Sequence, residues 1–350
     1  MKTLLVGYRA ADLAPQLLQG DVTCHTLDIY HRHAIEKVHH VKAVCTPHLP
    51  EGPWDCIKFK TGPKIHSGEL ALDLLQEAVR LRGRDAPAPS RDAPVPSTVR
   101  VVFEGGKVVF RGGDVSSPRL EIDFDGRERD RNDLIGKIKD DPKRVRSFKA
   151  EWPASVPGGE KLMFTSYPGC FCHRRLDEGG LALAEVVSRE LQDFRRETQD
   201  LRILDMGCGC GLVGLLVVNR LNRTIEQSEQ SNNPSISLVL VDSHARAVEA
   251  ATENAAKFGI PAEVILSDNG TPARMDGTFD VFVGNPPYYS DYRIAEVFLE
   301  TAKRALKPGG VCYTVVKNAA GLRPVQEKFF KSVAVTNRRC YSVLKSVKEA

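Results

Sequence analysis

LRILDMGCGCGLVGLLVV, residues Leu201 to Val218, reads as an apolar strand, a turn carrying Gly207, Gly209 and Gly211, and an apolar helix. Glycines at this spacing let the backbone turn tightly and approach a ligand without interference from a Cβ. The helix amino terminus that follows offers unpaired N–H groups. Asp205 stands just before the turn. A carboxylate there repels a pyrophosphate but suits the ammonium group of an amino-acid ligand, reached directly or through water.

The pattern repeats on the carboxyl side. Strands are expected at Arg202–Met206, Ser237–Val241, Glu263–Leu266, Val281–Gly284 and Val311–Val316, with helical stretches between them and a polar surface loop, NRTIEQSEQSNNPS, between the first two of these; upstream of the glycine turn a strand is expected at Lys161–Thr165 and a helix from about Asp177 to Phe194. Such alternation predicts a parallel sheet covered by helices, an α/β fold. The second strand ends at Asp242, placed to accept both hydroxyls of a ribose, and the third runs into Asp268, placed to accept from an adenine amino group. Either acid alone is also a good helix cap. Three acids at three successive strand ends call for an adenosine joined to a charged amino acid. That ligand is S-adenosylmethionine, and the order of features resembles the class I methyltransferase layout. The expected cofactor set is Asp205, Gly207, Cys208, Gly209, Gly211, Asp242, Ser243, Asp268 and Asn269.

VFVGNPPYYSD, Val281 to Asp291, is a buried strand stopped by Pro286 and Pro287, which cannot extend its ladder. The Asn285-Pro286-Pro287-Tyr288 loop resembles the catalytic motif of methyltransferases that modify an exocyclic amino or amide nitrogen. Such a nitrogen is a poor nucleophile because its lone pair is delocalised. Asn285 Oδ1 and the Pro286 carbonyl are suited to accept its two hydrogens and aim the lone pair, while Tyr288 stacks on the target plane. Tyr289 reads either as a substrate contact or as a core aromatic.

FTSYPGCFCHRRLDEGGLALAEVV, upstream of the glycine turn, carries Pro168, Gly169, Phe171, Leu176, Asp177 and Gly179. With the motifs above it resembles the ribosomal RNA guanine-N2 methyltransferases of the small-subunit type over about residues 160 to 345, including the LKPGG turn at Leu306–Gly310. The resemblance implies a Rossmann-like catalytic domain, S-adenosylmethionine as cofactor, ribosomal RNA or a ribosomal subunit as partner, and Phe171 and Asp177 near the substrate. Family members often carry phenylalanine where this chain has Tyr288, which leaves the target base less fixed. Adenine-N6 transfer, glutamine-N5 transfer to a release factor and a non-catalytic RNA-binding assembly factor stay open as alternatives. Asp177 reads either as a substrate contact or as a helix cap.

The resemblance also implies that residues 1–150 form a degenerate methyltransferase-like domain before the catalytic residues 151–350. TLLVGYRAAD puts Leu5 in the place of Asp205 and Arg9 in that of Gly209; Asp28 falls in the place of Asp242, and Lys60 replaces Asn285. That half should bind no cofactor and instead grip RNA through Lys58, Lys60, Lys64 and the His31–His40 cluster. The charge agrees: residues 1–150 hold 25 Lys+Arg against 21 Asp+Glu and seven of the nine histidines, so they carry the whole net charge of +4.

Within this half, GRDAPAPSRDAPVPS, Gly83 to Ser97, reads as a linker. A helix with Ser67 as its cap places Leu70, Leu74, Leu75, Ala78 and Val79 on one face, and a hairpin turns on Gly105-Gly106. The charged segment from Asp125 to Lys149 reads as a surface helix or connector. At 350 residues, 42% of them hydrophobic, the chain can bury the cores of two domains. It has neither a membrane-length apolar run nor a secretory signal, so a cytoplasmic location is expected. Nine cysteines are then reduced thiols, and the Cys-x-Cys spacings at Cys170–Cys172 and Cys208–Cys210 are not those of a zinc site, so no metal is expected.

Overall fold

Val239, Val241 and Phe282 turn to one side of their strands and Leu238, Leu240, Val281 and Val283 to the other, and all are buried. Strands apolar on both faces must lie at the centre of a layered sheet. The computed structural model describes residues 1–52, 54–62, 67–81, 100–104, 107–111, 119–124, 129, 132–133, 148–194, 200–226, 235–287 and 292–349. The expected linker at 83–97, Lys64, Gly105-Gly106 and most of 125–147 lie outside these residues, as do Tyr288 and Tyr289. The chain divides into two compact units, Met1–Lys149 and Ala150–Ala350.

In the first unit the strands are β1 (Lys2–Val6), β2 (Asp21–Thr26), β3 (Lys42–Cys45), β4 (Cys56–Thr61), β5 (Arg100–Glu104), β6 (Lys107–Arg111) and β7 (Arg119–Phe124), ordered β3-β2-β1-β4-β7-β6-β5. The first five in that order are parallel, while β6 and β5 are antiparallel additions. Helix α1 (Ile29–His39) buries Ile35 against Leu5, Cys24 and Ala43 on one face. Helix α2 (Gly68–Leu81), whose Leu70 N–H bonds the Ser67 hydroxyl, buries Leu70, Leu74, Leu75 and Ala78 on the other.

The second unit begins with a two-stranded ribbon, β8 (Ala150–Ala154) and β9 (Leu162–Ser166), and helix α3 (Glu178–Phe194). Then come β10 (Leu201–Met206), α4 (Leu212–Glu226), β11 (Ile236–Asp242), α5 (Ala245–Lys257), β12 (Ala262–Leu266), β13 (Phe279–Gly284), α6 (Arg293–Ala305), β14 (Leu306–Val316), α7 (Ala319–Glu327), β15 (Ala334–Arg338) and β16 (Tyr341–Val347). The sheet order is β12-β11-β10-β13-β14-β16-β15, parallel as far as β14 and antiparallel beyond it.

The strands expected from sequence are all present, and two details differ. The LKPGG stretch is a bulge inside β14, since Phe279 pairs with Leu306 but Val281 with Val311; Gly309, at φ 79°, supplies the left-handed residue and its N–H bonds the Lys348 carbonyl. The strand expected at Lys161–Thr165 pairs with β8 instead of joining the main sheet.

The two sheets share their first four positions and then diverge. The fifth is filled in the second unit by the next strand along the chain, and in the first by the last strand, with the β5–β6 hairpin preceding it. Registers fix the correspondence. Val6 lies opposite His25 and Phe59, and Met206 opposite Val241 and Gly284. Leu5 therefore corresponds to Asp205, and Lys60, after Phe59, to Asn285, after Gly284. Asp28 does not correspond to Asp242: the residue after His25 is Thr26, and Asp28 caps α1 by accepting from the Tyr30 N–H. Lys60 is tied to Asp12 at 2.8 Å and lies near the buried Tyr8 ring, and Lys58 lies 3.9 Å from Glu121. Of the three lysines expected to meet phosphate, the two among the described residues are therefore already paired.

Candidate active site

Four loops leave the second sheet side by side at the carboxyl ends of its parallel strands. Gly284 lies opposite Met206, Met206 opposite Val241, and Asp242 opposite Leu266. The glycine turn after β10, Asp242–Ser243 at the end of β11, Ser267–Asn269 after β12 and Asn285–Pro287 after β13 thus share one edge. In a parallel α/β sheet this edge is where ligands bind.

The glycine turn is fixed by sterics. Gly207, at φ 66°, has its N–H bonded to the Val241 carbonyl at 2.8 Å, and a Cβ there would meet Phe298 Cζ at 2.5 Å. The Phe298 ring also lies 2.9 Å from a Cβ built on Gly284, so one α6 side chain supports both the glycine turn and the strand end before Asn285. Gly209, at φ 56°, differs: a Cβ there meets nothing within 4 Å. Its outer face is bare backbone, open to a ligand. Cys208 and Cys210 are buried, and burial pushes both thiols up, so they serve as small apolar groups.

The acids do three different things. Asp205 is 1% exposed, and its Oδ2 accepts from the Gly214 N–H at 2.8 Å, which ties the strand to the first turn of α4. Gly214 escaped the sequence reading, yet a Cβ there would crowd Leu240, Leu238 and this carboxylate. Asp242 Oδ2 accepts from Gly209 N–H at 2.8 Å and Oδ1 from His244 N–H at 2.9 Å, so it braces the turn from the neighbouring strand. Asp268 is half-buried, whereas Asn269 is exposed and its Oδ1 accepts from the Ser267 hydroxyl at 2.9 Å.

Burial pushes the Asp205 carboxyl up to about 7; the Gly214 N–H opposes that shift and the Asp242 charge adds to it. A group protonated more readily when folded than when unfolded stabilises the fold below its ordinary value. That contribution falls by about 1.4 kcal/mol per pH unit as pH rises from about 4 to about 7, then levels off. Asp205→Asn keeps an oxygen for Gly214 and removes the titration. Denaturant midpoints from pH 5 to 8 should therefore show the variant gaining stability relative to wild type up to about pH 7 and not beyond.

Asp177 and Asn285 meet. Asp177 immediately precedes α3; its Oδ1 accepts from Gly179 N–H at 3.0 Å and its Oδ2 accepts from Asn285 Nδ2 at 2.8 Å. Burial raises the Asp177 pKa against the opposing effect of the Gly180, Asn285 and Gly179 hydrogen bonds. Pro286 is buried and Asn285 half-buried. Phe171 is 65% exposed on a loop of successive turns in which Cys172 and Arg174 adopt positive φ. That loop is anchored by Arg246, itself 1% exposed, whose Nη1 donates to the Pro168 carbonyl at 3.3 Å, and by Ser166 bonded to His173 at 3.0 Å.

A second residue absent from the sequence reading is Asn254, fully buried on α5. Its Oδ1 accepts from Thr165 N–H, and its Nδ2 donates to the carbonyls of Thr165 and Cys210 at 2.9 Å each. The signal was present in the sequence: Asn254 shares a face with Ala247, Ala250 and Ala251, a polar residue on an otherwise apolar stripe.

Parallel strands in the order β12-β11-β10-β13-β14, an antiparallel edge, a glycine turn after β10 and acids beyond the next two strands define a class I methyltransferase fold. Residues 161–345 match the methyltransferase small domain, and the chain belongs to that family. It is 30% identical over 196 residues to ribosomal RNA small subunit methyltransferase C of Shewanella loihica, a match covering 55% of this chain and 50% of that protein. It is 32% identical over 174 residues to the protein of the same name from Hahella chejuensis, covering 48% and 44%. The chain spans about half the length of the curated relatives it matches. A 16S rRNA N2 methyltransferase from T. thermophilus, solved with AdoMet and guanosine, shares the fold at a TM-score of 0.70 and 16% identity over 100% of this chain and 88% of that one.

Proposed function

We propose that the chain methylates the N2 amino group of a guanine in ribosomal RNA, with S-adenosylmethionine as donor. The observation that carries this reading is the position of Asn285, beside the glycine turn and hydrogen-bonded to Asp177. When bound, the cofactor supplies an electrophilic methyl group on a sulfonium. The bare backbone at Gly209 and the acids Asp205, Asp242 and Asp268, with Gly207, Cys208, Gly211, Ser243 and Asn269 around them, form the cradle that fits it. Asp205, with its pKa near 7, sits where an ammonium would draw it into its ionised form.

Asn285 Oδ1 and the Pro286 carbonyl accept the two hydrogens of the target amine. This withdraws the lone pair from the ring and aims it at the methyl group. Pro287 stiffens the loop; Tyr288 is assigned the stacking role on a base turned out of its helix, with Tyr289 and the exposed Phe171 as further substrate contacts. Displacement is direct: the nitrogen–carbon bond forms as the carbon–sulfur bond breaks, and the amine proton leaves to solvent.

Residues 1–150 act as a degenerate copy of this fold that contacts RNA. Support for the copy comes from the repeated order of the first four strands and from the registers that set Lys60 where Asn285 stands in the second sheet; support for the contact comes from the surplus of basic residues. Action on ribosomal RNA implies the cytoplasm. Among the described residues no helix is long and apolar enough to cross a membrane.

Incubation of the full chain with methyl-labelled donor and ribosomal RNA, small subunits or a release factor, followed by nucleoside digestion, tests the assignment. Label should appear in N2-methylguanosine. Label in N6-methyladenosine, or only in the protein factor, would overturn the guanine assignment in favour of another planar nitrogen.

A further inference from the structure

We infer that Asp177 is the positioning residue for Asn285, holding its amide in the one orientation that turns Oδ1 toward the substrate nitrogen. The inference rests on the reading of Asn285 as an acceptor given above. An asparagine amide presents an acceptor on one side and donors on the other, and rotation of its terminal torsion by half a turn exchanges them. In the wrong orientation its N–H groups would bond the very lone pair that must attack. An ionised carboxylate accepts only, so Nδ2 and not Oδ1 faces Asp177 Oδ2, at 2.8 Å. The charge also polarises the amide and strengthens Oδ1 as an acceptor.

Two features of α3 hold Asp177 in place. The Gly179 N–H fixes the other carboxylate oxygen at 3.0 Å. Position 180 must then be bare: a Cβ built there would lie 2.6 Å from Asp177 Oδ2, the oxygen that takes Asn285, and 3.3 Å from Leu212 Cδ2. Glycine weakens a helix, and Gly180 has no positive φ to explain its presence within α3. The room it leaves for the Asp177–Asn285 contact does explain it.

A helix cap alone makes a different prediction, because asparagine caps a helix about as well as aspartate. If Asp177 only capped α3, Asp177→Asn would be silent. As a positioning residue, its replacement by asparagine should lower kcat by about 10- to 100-fold, the scale of one misplaced group at a reacting centre. Cofactor affinity and melting temperature should stay near wild type. Asn285→Asp alone sets two carboxylates against each other and should lose as much. The double variant Asp177→Asn with Asn285→Asp reverses the bond: the new amide donates to the new carboxylate, whose second oxygen faces the substrate. It should recover at least tenfold over either single variant.

Gly180→Ala leaves both side chains chemically intact and should lower kcat without changing cofactor affinity. Wild-type kcat in Asp177→Asn or in Gly180→Ala, or a double variant no better than the singles, would overturn the inference. The labelled nucleoside is read separately. A wild-type enzyme that methylates a different amino or amide nitrogen refutes the guanine assignment while the exchange still tests Asp177 on that nitrogen, whereas retained turnover in Asn285→Ala would remove the premise.

Discussion

Asn285→Ala is expected to lower kcat by about 10²- to 10³-fold, the usual loss when one preorganised polar group at a developing charge is removed. The geometry says why the loss belongs to turnover and not to binding. The Asn285 side chain bonds Asp177, whereas the proposed cofactor cradle is the glycine turn, braced by Asp242 through Gly209 and by Asp205 through Gly214. None of those bonds involves Asn285. Calorimetric titration with S-adenosylmethionine should give a Kd within about twofold of wild type, since the bonds that brace the glycine turn are kept and a twofold change is worth only about 0.4 kcal/mol. Single-turnover methylation isolates the missing step from product release. Retained methylation would show that the Pro286 carbonyl and the stacking loop align the nitrogen without the asparagine. A parallel loss of cofactor affinity would mean that the β13 loop shapes the cradle, with Phe298, which supports both Gly207 and Gly284, as the connection.

What could be read from sequence follows the range of the interactions. The strands were legible because burial on both faces leaves a continuous apolar run, and the glycine turn because Gly207 and Gly209 need left-handed backbone that other residues resist. Asp177 could be placed at a helix start from its local pattern, but its bond to Asn285 spans 108 residues and left no local trace. The same holds for Lys60. As an isolated lysine it suggested phosphate, and only the fold brings Asp12 to its Nζ. Asp28 was aligned with Asp242 because both follow an apolar strand; register, which a one-residue slip reverses, assigned Thr26 to that position instead. The β8–β9 ribbon was missed in part because its burial alternates along β8, as in a half-exposed strand, and its outer edge is satisfied by a side chain instead of a neighbouring strand.

That side chain is Asn254, and its replacement by alanine is expected to have the largest effect on stability. The amide of Asn254 stands in for a peptide group: it accepts from Thr165 N–H and donates to the Thr165 carbonyl, as a paired strand would, and its second N–H reaches the Cys210 carbonyl in the glycine turn. Alanine leaves one donor and two acceptors buried without these partners. An unsatisfied buried group costs about 1–3 kcal/mol, and the vacated volume adds to this, so a loss of about 3–5 kcal/mol is expected. At about 2–4 °C per kcal/mol for a unit of this size, the melting transition of the carboxy-terminal unit should fall by about 6–20 °C. Asn254→Asp should fare no better above neutral pH, because it replaces the Nδ2 donors with a buried charge facing two carbonyls. The alanine variant should also bind S-adenosylmethionine more weakly at temperatures where it remains folded, since Cys210 lies between Gly209 and Gly211 in the turn that would carry the cofactor. Calorimetric unfolding and cofactor titration of the same preparation separate the two effects. A loss of stability with unchanged affinity would show that Asp242 and Asp205 hold the turn unaided; a loss of both would make this buried amide the link between the β9 edge and the cofactor cradle.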